Sequence, residues 1–284
     1  MKNQTKPLRA LIASAVGVAA ASLSFGAHAD ALNGIIDIWN VNVSTVFDTT
    51  SVCNDSGNCN TATNGITETP TSLSWGSGGI SGLDIGSSPS SANVNTNGAA
   101  VPNVSITHRN QPITGDTLGS VDIVSTLTLT PVSPLGPGLP AVDFIFKVHF
   151  AETPNGASPC ADGGANGVGV NINGCADIYV TDVNSLNFPF FYDLDGAGTT
   201  YAPKQYFISF FESTSGLNPL PVAACTAVGV AAPCLGFRTP ESTNTTVRFA
   251  ALITTAPVSI PEPATSALLG IGLLGGLLAR RRRS

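Results

Sequence analysis

Between residues 141 and 150 the chain reads AVDFIFKVHF, with Phe144, Phe146, Val148 and Phe150 on one parity and Ile145, Lys147 and His149 on the other. A repeat of two is what a strand with one buried face requires, because successive side chains leave opposite sides of the pleat. Residues 36–47 and 121–130 read the same way, the latter as VDIVSTLTLT with Leu127 and Leu129 alternating with threonines. Residues 177–183, 188–193, 205–211 and 245–254 are further strand candidates. Clusters of Pro, Gly and Asn separate them, such as PLGPGLP at 134–140. No long segment carries the 3.6-residue stripe of an amphipathic helix. Short strands with such turns predict an all-β fold, a single antiparallel β-sandwich of jelly-roll-like type. The polar, low-complexity stretch 87–98 is expected to be a mobile loop within that domain.

The two ends break the pattern. Residues 1–29 have a basic start (Lys2, Lys6, Arg9), an apolar run over 11–21 and the small-residue pattern Ala27, His28, Ala29, the build of a secretory signal peptide. Residues 260–284 carry Pro261, Glu262 and Pro263, then an apolar run over 264–279, then Arg280, Arg281, Arg282 and Arg283. Sixteen helical residues span about 24 Å against a hydrocarbon core of roughly 30 Å, so this run crosses a bilayer only with help from its flanks. An Arg costs about 2.5 to 3.5 kcal/mol at the centre of an inserted helix, so the arginines hold the tip on the cytoplasmic side. The domains expected are therefore a signal peptide (1–29), an exported body (30–259) and a tail (260–284). The body leaves through the Sec machinery and is transiently held in the inner membrane by its tail.

Charge then narrows the partners. Of 12 basic residues, three lie in the signal peptide and four in the terminal cluster, so the body keeps five: Arg109, Lys147, Lys204, Arg238 and Arg248. Against them stand 17 of the 18 acidic residues, a net charge of −12. Nucleic acid needs a basic face, so it is excluded as a partner. Cys53, Cys59, Cys160, Cys175, Cys225 and Cys234 fall as close neighbours, and an even number in an exported chain reads as disulfides. Six cysteines allow 15 connectivities; the three local pairs are the expectation. A zinc site lacks any Cys-x-x-Cys and has few histidines to help it.

Candidate chemistry is sparse. Thr107, His108, Arg109 and Asn110 stand where an extended segment meets a turn around Pro112 and Gly115. There the His108 ring is expected to donate to a backbone carbonyl, and Thr107 and Asn110 to satisfy turn backbone. No serine has the G-x-S-x-G surroundings of a hydrolase nucleophile. Glu152 and Glu212, each after a phenylalanine-rich strand, are the nearest pair for a two-carboxylate glycosidase. Asp193 and Asp195 form a D-x-D-G turn with Gly196, the calcium candidates of the chain, while Asp177 and Asp182 bracket a nearby strand. The EF-hand spacing fails there, and a plain turn is expected, with no cofactor. Trp39, Trp75, Tyr192 and Tyr201 are either core residues or a sugar-stacking platform.

The Pro-Glu-Pro, apolar helix and Arg cluster resemble the PEP-CTERM sorting signal of Gram-negative bacteria. That resemblance implies recognition by an exosortase, removal of the tail near Pro261 to Pro263, and delivery to the outer surface or extracellular matrix. Within the body, SLSWGSGG (72–79), THRN (107–110), FKVHFAETPN (146–155) and GCADIYV (174–180) are similar to the THxN family of PEP-CTERM proteins, whose motif falls on Thr107, His108 and Asn110. The expectation is a non-catalytic surface or biofilm-matrix component with exopolysaccharide as a partner. A carbohydrate-binding or adhesive module is the alternative, and a secreted hydrolase the third reading.

Overall fold

In a computed structural model of the chain, the structure describes residues 33–181, 187–196, 200–214 and 216–258. Residues 1–29, expected as a signal peptide, Asp182, and the tail with Pro261, Glu262, Pro263 and Arg280 to Arg283 lie outside the described residues. Among the described residues fifteen strands form two antiparallel sheets.

The first sheet is built on the long strands that the alternation announced. β1 (Ile38–Phe47) pairs along its whole length with β8 (Leu118–Ser133), and β8 pairs with β9 (Val142–Ala151). Beyond β9 come β10 (Asp177–Thr181), β14 (Leu235–Thr239) and the short β13 (Asn218–Pro219). On the other side of β1 lies β6 (Ser90–Asn95), while the two-residue β2 (Cys53–Asn54) also joins β8. The second sheet runs β11 (Phe188–Tyr192), β12 (Lys204–Glu212), β15 (Asn244–Thr254), β7 (Val101–Arg109), β5 (Ser81–Gly86), β4 (Ser72–Trp75) and β3 (Thr67–Thr69). A six-residue helix, α1 (Val222–Ala227), is the one α-helix among the described residues.

One expectation needs correcting. The stretch 87–98 is not simply a loop: β6 lies inside it and pairs residue for residue with β1 from Ile38↔Asn95 to Val43↔Ser90. Its apolar content is nearly all in Val94, which is fully buried, while Ser91 and Asn93 meet Asn40 on the outer face. A polar edge strand gives little hydrophobic periodicity, and cross-strand pairing decides its state. The strand candidate at 177–183 is found as β10, whose five residues are all buried. Asp177, Tyr179 and Thr181 face inward, while Ile178 and Val180 are covered from outside by Ala224 and Cys225 of α1.

Between the sheets the core falls into two clusters. One gathers Trp39, Val41, Leu127, Tyr206 and Ile253. Trp39 meets Phe190, Tyr192 and Tyr206 edge to face, with ring centroids 5.2 to 5.3 Å apart. The other gathers Leu73, Trp75, Val148, Phe150, Tyr179 and Phe237, and it leads to the polar end of the sandwich. All three local disulfides are formed: Cys53–Cys59, Cys160–Cys175 and Cys225–Cys234. Among the described residues no cysteine is free.

Candidate functional site

Five segments carry their inward faces past the apolar core and into one polar cluster. The strand period of two does this: Leu73 leads to Trp75, Ile106 to His108 and Asn110, Phe150 to Glu152, Tyr179 back to Asp177, and Phe237 to Thr239 and Glu241. At this end of the sandwich each sheet therefore offers polar side chains where the middle offers aliphatic ones. His108 and Asn110 are fully buried, Asp177 is 1% exposed and Glu241 2%. Glu152 is half-buried and gives the cluster its access to solvent.

The contacts join the two sheets. Trp75 Nε1, from the second sheet, donates to Glu152 Oε2, from the first, at 3.0 Å. Across the same gap His108 Nε2 stands 3.8 Å from Asp177 Oδ2, too far for a hydrogen bond. The imidazole packs between Trp75, ring centroids 6.1 Å apart and nearly parallel, and Phe150, at 4.9 Å and tilted by 70°. Thr153 N–H donates to Asp177 Oδ1 at 2.8 Å, and Asn110 Nδ2 donates to the Thr239 carbonyl at 3.0 Å. Several polar atoms in this space have no hydrogen-bond partner among the described residues: both nitrogens of His108, Asn110 Oδ1 and Thr239 Oγ1. The Asp177 carboxyl meets that of Glu152, and the Glu241 carboxyl takes the Asn155 side chain and the Ser242 N–H. Buried polar groups are nearly always paired, so such a concentration marks this cluster out from the rest of the core.

Ionisation follows burial. Desolvation, helped by the nearby Arg109 charge, holds the His108 pKa down at about 3, so the ring is neutral. Burial lifts Glu152 to about 7, against the pull of the Trp75 N–H and Asp177 and with a push from Glu241. Asp177 is raised well above the usual carboxylate range by burial first and by the Glu152 charge second. Burial also raises Glu241. No group of three or more His, Cys, Asp or Glu among the described residues is disposed to hold a metal ion.

The motif residues divide accordingly. His108 does not donate to a backbone carbonyl as expected, because it lies on the inward face of β7 and not in the turn. Asn110 does serve the backbone, through its amide and through its N–H to the Thr243 carbonyl at 2.9 Å. Thr107 points the other way and pairs with the Thr246 hydroxyl across the strands at 2.8 Å. Arg109 also faces outward, its Nε donating to Asp84 Oδ2 at 2.6 Å. The guanidinium crosses β5 at Gly82, where a Cβ would run into Arg109 Nη2 and sit 2.5 Å from the Leu73 carbonyl oxygen.

The other candidates stay apart from the cluster. Glu212 is taken up by its own turn, accepting from Gly216 N–H at 2.9 Å. Asp195 accepts from the backbone N–H of Thr200 at 2.6 Å, the plain-turn role, and Asp193 opens the same turn after β11. Trp39 and Trp75 are both buried, so neither offers a face to a sugar. Tyr192 is buried with Trp39, and Tyr201 is half-buried against Gly34. Glu241 went unremarked in the sequence; its one signal is the parity it shares with Phe237 and Thr239.

Residues 259–283 match the PEP-CTERM protein-sorting motif. No curated protein matches the chain in sequence. The motif marks an exosortase-targeted chain that is exported, passes through the membrane and is displayed at the surface or outside the cell.

Proposed function

We propose that this chain is a non-catalytic β-sandwich of the THxN type, deployed as a structural or interaction component of the cell surface or the exopolysaccharide matrix. It uses no cofactor. The observation that carries the reading is the sorting motif directly after a disulfide-stapled body. Export places the body where disulfides persist and where matrix polymer is its nearest neighbour. The tail holds the precursor transiently in the inner membrane until the exosortase acts near Pro261 to Pro263. Burial of His108, Asp177 and Glu241 supports the non-catalytic part, since groups this enclosed offer a polymeric substrate no approach.

Mass spectrometry of the protein recovered from its native bacterium tests the first half. The expected product begins at Asp30 and ends near Pro261 to Pro263; a form running to Ser284 on the mature surface protein overturns processing. A panel of glycan and peptide substrates tests the second half, with no turnover expected and saturable turnover refuting it.

A further inference from the structure

Three carboxyl groups meet at the polar end: Glu152 after β9, Asp177 at the start of β10 and Glu241 after β14. What faces them can be named element by element. β7 contributes neutral His108, β4 the Trp75 N–H, β14 the Thr239 hydroxyl, and the segment after β9 the Thr153 N–H and the Asn155 amide. Arg109, the cation nearest His108, is turned outward to Asp84, and Arg238 is engaged by Asp162. No cation is among the groups that set the ionisation of the three acids. Their charge must therefore be cancelled by protons or by a bound cation, and among the described residues no three ligating side chains are disposed for a metal.

We propose that Glu152 and Asp177 hold a shared proton that works as a pH-operated latch between the two sheets, independent of what the surface binds. Loaded, the pair carries a single charge spread over two carboxyl groups beneath Trp75 and His108, and the end of the sandwich is closed. Emptied, two like charges are forced together in a poorly hydrated gap and the end loosens. Glu152, half-buried, exchanges its proton with solvent, while Asp177, enclosed, keeps the pair in place.

The direction follows from linkage. A carboxyl whose folded pKa is raised binds its proton more tightly in the folded state, so stability is full below its ordinary value and is lost as pH rises to the folded value. For Glu152 that window runs from 4.5 to about 7. For Glu152 alone a shift of that size corresponds to a fall in the folding equilibrium of about 300-fold, to which the raised Asp177 and Glu241 add in the same direction.

The processed protein from the native cell, unfolded in urea at a series of pH values, provides the test. Wild type should lose stability across that window. Glu152→Gln, whose amide stands in for the protonated acid, should flatten the loss and exceed wild type above neutral pH. An infrared carbonyl band of a protonated buried carboxyl, present in acid and gone in mild alkali, reads the same proton in the wild type even if the variant fails to fold. A Glu152→Gln slope equal to wild type, or the absence of that band, overturns the latch. So does a chelator that destabilises the wild-type protein in alkali with calcium restoring it, because a cation would then be doing the proton's work.

Discussion

Reducing the three disulfides should leave the body at or below the limit of folding. The loops they close are separated in sequence by 6, 15 and 9 residues and do not overlap, so their effects on the unfolded chain add. Chain-entropy treatment gives about 2.2, 3.0 and 2.6 kcal/mol for such closures, near ~8 kcal/mol together. Domains are typically stable by about 5 to 15 kcal/mol, so a loss of that size takes most or all of it. The two larger loops also hold structure in place. Cys175 lies two residues before Asp177, and Cys225 and Cys234 tie α1 over the outside of β10. The assay is urea unfolding of the processed protein, followed by circular dichroism, with and without reductant. With a slope of about 3 kcal/mol per molar urea, the midpoint should fall by about 2.5 M, or the reduced chain should already be unfolded in buffer. Midpoints within about 0.5 M of each other would refute the reasoning, showing that packing alone carries the fold.

Three further outcomes are expected. Trp75→Phe keeps the ring over His108 but removes the N–H bonded to Glu152; it should cost about 1 to 2 kcal/mol and move the pH dependence of stability upward, since that N–H favours the ionised carboxyl. Urea melts of the variant at several pH values check both parts. Gly82→Ala places a methyl against Arg109 and the Leu73 carbonyl, and should destabilise by about 1 to 3 kcal/mol while the same change at the open Gly156 does not. Hydrogen exchange on the native protein should show protection within β6 where its amides meet β1; exchange as fast as that of an open loop would restore the loop reading of 87–98.

The sequence by itself carried the destination and the class of fold. The apolar tail with its arginines is a statement about lipid and water, legible without any contact map, and the matched sorting motif agrees with it. The long strands β1, β8 and β9 were equally legible, since a buried face repeats every second residue whatever the partner strand. The local cysteine pairs closed as proximity along the chain favours. Strand β6 could not be read, because its residues gain from pairing with Asn40 and its neighbours and not from apolar burial of their own. Nor could the polar cluster. Each of Trp75, His108, Glu152, Asp177 and Glu241 is an ordinary residue in its own segment, and THRN alone suggested a turn. Only the stacking of two sheets turns five separate strand ends toward one space, where burial, a property of the assembled fold, sets the charge of every group.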